Sequence, residues 1–223
     1  MKRNADLMAV ALASVVFALW SNRWSGFDLW LTTLLHDPSG GGFPLRRDGI
    51  GSMLLHDGVK WMSVVGWMLL VSGWVFLRLR ERGRLLLRRR FGFVAGVSLA
   101  AVLAVNLLRA MSEHSCPWHL AGFGGTAQFY RLFDALPAHP GPGHCLPSGH
   151  AAGAFMWLAA LPVLSVRARK AALAGTLGLG LFAGAVQIAR GAHFLSHILL
   201  SAAVCSLVAL AAALILSRKR VPE

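Results

Sequence analysis

Three short segments carry residue types that together can handle a phosphoryl group. The first is Arg109, followed seven and eight residues later by Cys116 and Pro117. The second is Pro147-Ser148-Gly149-His150. The third runs from Arg190 to His197 and includes His193. Ser148 is a good N-cap for the apolar stretch that follows it. The free N–H groups of Gly149, His150 and Ala151 would then face outward, and such a helix start attracts phosphate. Arg109 and Arg190 can add charge-assisted hydrogen bonds to phosphate oxygens. The phosphate-binding candidates are therefore Arg109, Ser148, Gly149 and Arg190. His193 and His150 are candidates for nucleophile and proton donor. His197 stands four residues beyond His193 and shares its face if a helix begins that early. It can then orient the His193 ring, as the third member of a triad does.

These segments must be held by elements, and the composition says which kind. The chain has 223 residues, 56% hydrophobic and 14% charged, with 22 Lys+Arg against 9 Asp+Glu. So low a charge fraction in long apolar runs excludes a disordered tail and a basic nucleic-acid binder. Three cysteines exclude a disulfide scaffold. One polytopic membrane domain over residues 1–223 is expected.

Six stretches approach the length that crosses a bilayer: 4–20, 61–77, 91–108, 149–166, 171–189 and 198–217. Asp6 shortens the first, and Pro162 interrupts the fourth. Lys2 and Arg3 before an apolar run also fit a signal peptide. The run ends in Trp20-Ser21-Asn22 with no small-x-small site, so a retained span is expected. With both termini inside, fifteen of the 22 basic residues fall on the cytoplasmic side, seven of them arginines in 78–90. That run reads as a topology and lipid-headgroup feature. All nine histidines and six of the nine acids fall on the outer side. The titratable chemistry is therefore expected on one face of the membrane.

Two outer loops are long, 21–60 and 109–148. In the first, Phe27, Trp30, Leu31, Leu34 and Leu35 share one helical face, which predicts an interfacial helix. The glycine run 40–42 predicts a turn. In the second loop, Cys116 and Cys145 can form a disulfide if the outside is a periplasm. Cys205 lies within the sixth span as a packing residue. Gly180-x-x-x-Gly184 predicts close helix packing. His193 and His197 also have the spacing of two imidazoles on one metal, with His150 as a third ligand.

The pattern resembles the type 2 phosphatidic acid phosphatase family, whose signature is Lys-x6-Arg-Pro, then Pro-Ser-Gly-His, then Ser-Arg-x5-His-x3-Asp. The resemblance covers about Arg109 to Ser201 and accounts for His150 and His193 without a metal. It implies that Ser148 and the Gly149 N–H bind phosphate, that His150 protonates the leaving oxygen and that His193 becomes a phosphohistidine. Arg109 falls on the first motif's lysine and Pro117 on its proline. Three positions depart: Cys116 and Gln187 stand where the motifs have arginine, and His197 stands where the third has aspartate. Arg190, one turn beyond Gln187, can reach the same phosphate. A neutral His197 accepts a hydrogen bond but does not stabilise an imidazolium as a carboxylate would, so activity is expected to fall as His197 takes a proton. Glu113 or Asp134 could supply the missing carboxylate.

The expectation is an all-α, six-span bundle with an interfacial helix. It is a lipid phosphatase of a bacterial inner membrane, with its site facing the periplasm and no cofactor or metal. Phospholipid, polyprenyl and lipid A phosphates all present a phosphate at the right depth; no nucleic-acid partner is expected. A lipid phosphotransferase using the same intermediate, or a non-catalytic lipid-binding relative, are the alternatives.

Overall fold

A computed structural model of the chain describes residues 2–39, 42–47, 49–80 and 83–218. Gly40, Gly41, Arg82, Lys219 and Arg220, and the side chains of Lys2, Arg3, Arg47 and His56, lie outside the described residues. The predicted turn at the glycine run and parts of the basic clusters therefore have no structural counterpart here.

The chain is all-α. Helix α1 (Lys2–Leu19) continues into a π-helical turn, Trp20–Trp24. Then come α2 (Phe27–Leu34), α3 (Pro44–Arg47), α4 (Gly49–Leu79) and α5 (Leu85–Ala110). After a long loop, α6 (Gly149–Phe155) leads into a 3-10 segment, Met156–Val163. Two long helices, α7 (Val166–Ala189) and α8 (Leu195–Arg218), complete the fold. Among the described residues there is no strand, only the isolated bridges Asp37–Gly42 and Leu120–Ala127.

Among the described residues, five helices are long and apolar enough to cross a membrane: those within Asn4–Trp24, Asp57–Leu79, Leu85–Ala110, Val166–Ala189 and Leu195–Arg218. The expected fourth span is instead a shorter apolar segment, Gly149–Val163. Its cause is Pro162, which has no N–H to offer and a ring that crowds the preceding turn. The chain tightens to 3-10 geometry before it and stops just after. The first outer loop is also more helical than expected, because α4 begins at Gly49 rather than near Trp61.

Apolar side chains point outward along these helices. Leu12, Phe17, Leu69, Leu103 and Leu107 are each more than half exposed. A protein bathed in water rarely presents so continuous an apolar belt. With the helix lengths, this makes the chain a multi-pass membrane protein. Inside, Leu7, Val105, Phe155, Leu158, Leu161 and Ile198 form the central core between α1, α5, α6 and α8. A Cβ at Gly180 would strike the Phe155 ring and one at Gly184 would strike Ile198, so α7 lies close against α6 and α8. Asp6, which shortens the first apolar stretch, is neutralised across the bundle by Arg169 of α7 at 2.8 Å.

Helix α2 is inside out. Its polar residues Asp28 and Thr32 are buried, whereas Trp30, Leu34 and Leu35 are exposed. Leu31 packs on the central core. The apolar face read from the sequence is therefore turned mostly away from the protein, and the polar face is turned in.

Candidate active site at one end of the bundle

Helix α6 starts where the sequence places it. Ser148 is fully buried in extended geometry, and its Oγ accepts the Ala151 N–H at 3.3 Å. Its backbone is tied to α8: the Ser148 N–H donates to the His197 carbonyl at 3.1 Å, and the Ser201 hydroxyl donates to the Ser148 carbonyl at 2.8 Å. The second and third chemical segments are thus joined through main chain. Arg109, in the last turn of α5, joins them from the other side. Its Nε donates to the His144 carbonyl at 2.8 Å. A Cβ at Gly149 would lie 3.3 Å from both Arg109 Nη1 and Asn106 Oδ1, so the glycine lets the guanidinium sit directly over the helix start.

In front of this junction, α4, α5 and α6 enclose a cavity of about 440 Å³. Lys60, Asn106, Arg109, Gly149 and His150 line its polar part; Trp67, Leu99, Val102 and Met156 line its apolar part. Away from the cavity, α4 and α5 interlock. Phe91 of α5 fits the notch at Gly73 of α4, and Trp74 of α4 fits the notch at Gly92 of α5. Trp67 Nε1 also donates to the Ala95 carbonyl at 3.1 Å.

The third segment lies behind the cavity. His193 is 6% exposed and His197 is 2% exposed, with Nδ1 atoms 3.4 Å apart. The two rings lie edge to face, but not on one helical face, because α8 begins at Leu195, after His193. The turn before α8 brings His193 round instead. Burial lowers the His193 pKa to about 3, with the charges of His150 and Arg109 adding to the fall. The ring therefore stays neutral far below the usual imidazole range.

Cys116 and Cys145 are disulfide-bonded. The bond brings Cys145 Sγ to 3.5 Å from His193 Nδ1 and 2.9 Å from the Ala192 carbonyl oxygen. The residue that departs from the first motif thus helps to wall in the histidine of the third.

Arg190 caps α7, and its Nη1 donates to Gln187 Oε1 at 3.2 Å. It folds back over the position where the third motif has arginine. Its Nε has no hydrogen-bond partner among the described residues. Burial lowers its pKa, Asp57 opposes that fall, and Arg46 adds to it. Arg46 stacks over the Trp118 ring at 4.6 Å, and the Trp118 N–H donates to the Gly191 carbonyl at 3.0 Å. Gly191 must be glycine here: its φ is +69°, and a Cβ would run into the Phe43 ring.

Two acids expected near the histidines do other work. Asp134 pairs with Arg23 at 2.7 Å and Arg131 at 3.1 Å, and those partners hold its carboxyl down at about 2. Glu113 acts on Tyr130, whose pKa burial raises first and Glu113 second. Among the described residues, neither His193 nor His197 hydrogen-bonds a carboxylate.

The acid that matters structurally is Asp28, which sequence reasoning passed over inside the apolar pattern of α2. It is 1% exposed. It accepts the Ser196 N–H at 3.0 Å, the Ser196 hydroxyl at 2.5 Å and Asn22 Nδ2 at 3.0 Å. Burial raises its pKa, and those hydrogen bonds pull it back down. Asn22 also accepts the Leu132 N–H at 2.7 Å. One buried network therefore ties the π-turn, α2 and the long outer loop to the residue between His193 and His197. Lys60, Asn106 and Arg46 were likewise missed, because they stand alone in sequence with no motif around them. The one available signal for Asp28 was an acid three residues before Leu31 and four before Thr32, in a segment otherwise rich in apolar residues.

The model of the PAP2 superfamily matches residues 91–220, which takes in most of α5, then α6 through α8 and all three segments. No curated protein and no solved structure matches the chain. With more than half its length matched, the chain belongs to the PAP2 superfamily, whose members are phosphatases acting on phosphorylated substrates.

Proposed function

We propose that this PAP2 superfamily member is a lipid phosphatase, one domain over residues 1–223, that works through a phosphohistidine. The observation that carries the reading is the cavity of about 440 Å³, cationic at Lys60 and Arg109 and apolar at Trp67, Leu99, Val102 and Met156. A lipid phosphate has the same two-part chemistry. Its headgroup would lie against the α6 start, and its chain would lie between α4 and α5.

In this mechanism His193 carries its proton on Nδ1 and donates it to His197 Nδ1, which leaves the Nε2 lone pair free. Nε2 attacks phosphorus, the bond from phosphorus to the lipid oxygen breaks, and His150 gives that oxygen a proton. Water then attacks the phosphohistidine while His150 takes the water proton, and the P–N bond breaks. Ser148, the Gly149 N–H, Arg109 and Arg190 hold the charge on the phosphoryl oxygens, where most of the stabilisation arises. None of these steps uses a metal.

The reading includes six membrane crossings, with Gly149–Val163 as the short one. Half of it is 3-10, with a longer rise per residue, so it reaches about 26 Å, near the thin end of a bilayer core. The inverted polarity of α2 supports an interfacial helix whose Trp30 and Leu34 rest in lipid. The distribution of basic residues supports a reading with both termini in the cytoplasm and the site at the outer face of a bacterial inner membrane.

The test is phosphate release by purified protein across phosphatidic acid, phosphatidylglycerol phosphate, polyprenyl pyrophosphate and lipid A. Release from at least one lipid is expected, lost in His150→Ala and His193→Ala and unaffected by a chelator. Equal release from the wild type and His193→Ala would overturn the mechanism.

A further inference from the structure

Behind the proposed phosphate site lie three buried atoms with the layout of a metal centre. Cys145 Sγ is 3.5 Å from His193 Nδ1, which is 3.4 Å from His197 Nδ1. All three fall within 4.8 Å of one another. A tetrahedral zinc ion with Zn–N of about 2.0–2.1 Å and Zn–S of about 2.3 Å requires N···N of about 3.4 Å and S···N of about 3.5 Å. The Cys145–His193 and His193–His197 separations match those edges, and the Cys145–His197 edge lies within 4.8 Å. His150, the third ligand that sequence spacing offered, is not in this cluster. The sulfur is, and in this structure it is bonded to Cys116.

We propose that opening the Cys116–Cys145 disulfide creates a zinc site of Cys145, His193 and His197. A dithiol reductant supplies two electrons and two protons to the S–S bond and is itself oxidised to a disulfide. Both cysteines become thiols, and Cys145 S–H then faces the Ala192 carbonyl. Zinc binds the Cys145 sulfur and displaces its proton to solvent, while the two Nδ1 lone pairs fill two further positions. The two imidazoles are neutral and each keeps one proton, which must now sit on Nε2. A His193 ring metallated at Nδ1 has no Nε2 lone pair. Resting on the function proposed above, zinc in the reduced protein therefore switches off phosphate release. The oxidised protein has no thiolate to offer and is spared. The disulfide thus keeps a metal away from the nucleophile as well as closing the loop.

Cobalt(II) reports the site without any assay of activity, because a thiolate ligand gives a near-ultraviolet charge-transfer band. Purified full-length protein is titrated with cobalt as isolated, after treatment with a dithiol and its removal, and as the Cys116→Ser variant, which frees Cys145 without reductant. The reduced protein and Cys116→Ser should each bind one cobalt per chain with the thiolate band, and zinc should displace it. The oxidised protein, and Cys145→Ser, should show no band. His197→Ala in the Cys116→Ser background should weaken binding at least tenfold. Absence of the band in both the reduced protein and folded Cys116→Ser overturns the site. A zinc-loaded protein that still releases phosphate upholds the site and overturns His193 as nucleophile.

Discussion

The two sides of the site are built on opposite plans. On the side of α4, α5 and the α6 start, charged groups border a cavity, and the helix that closes it is barely embedded: 11% of the α4 span is buried. On the side of the α7–α8 turn the chemistry is sealed in, and 50% of the α8 span is buried. There His193 is held from three directions: by His197 at 3.4 Å, by the disulfide sulfur at 3.5 Å, and through Ser196 by Asp28. On the proposed mechanism, the contrast separates two tasks. Groups that must follow a mobile ligand sit on a loosely packed wall, and a group that must keep one ring orientation sits where little can move.

If that division holds, substitutions on the sealed side should lower kcat and those on the open side should raise KM, apart from His150, whose proton transfers make its loss a kcat effect. The largest effect is expected for His193→Ala, a loss of phosphate release on the order of 10³-fold or more with lipid binding retained. A loss in KM alone would break the comparison. Arg109→Ala should cost about 10²-fold in kcat/KM, because it removes charge from both ground and transition states. Asp28→Ala leaves the Ser196 and Asn22 donors buried and unmatched, so stability should fall by about 3 kcal/mol, read by thermal unfolding in detergent. Rescue by lipid substrate would not be expected, since Asp28 lies away from the cavity. Trp67→Ala should raise KM about tenfold for long-chain lipids and little for short-chain ones.

The smallest effects concern pH. The Asp134 carboxyl is held at about 2 by Arg23 and Arg131, below its unfolded 3.8. A lowered acid stabilises the fold above the unfolded value and loses that contribution as pH falls through the folded one. Asp134→Asn should therefore destabilise slightly at neutral pH, with the difference shrinking as pH falls from about 4 through about 2. It is solvent-facing, so the difference should shrink in high salt. His193, lowered to about 3, is neutral in the fold while its unfolded counterpart protonates near 6.5, so its contribution also declines as pH falls from 6.5 toward 3. The acid limb of activity that His193 imposes should accordingly lie near pH 3, well below the usual imidazole range, and a pH–rate profile measures it.

Much of this was legible beforehand because it depends on local rules. Apolar length located α1, α5, α7 and α8 to within six residues at either end. Ser148 as a cap follows from its own chemistry and the absence of an acid after it. The Cys116–Cys145 bond was legible as a possibility from loop and compartment. Other features were hidden because they join distant residues. Asp28 and Ser196 are 168 positions apart, and Asn22 and Leu132 are 110 apart. Asp134 looked available to a histidine only because Arg23, far upstream, was not yet beside it.

The sequence alone determined the solvent this chain needs, the cap of α6 and the residue types available for phosphate chemistry, since each depends on neighbours within a helical turn or two. Only the tertiary structure decided which face of α2 turns inward, which carboxylate is buried, and that the disulfide sulfur rests against His193. Those outcomes depend on which distant polar atoms could satisfy one another once the helices packed, and no local pattern encodes that pairing.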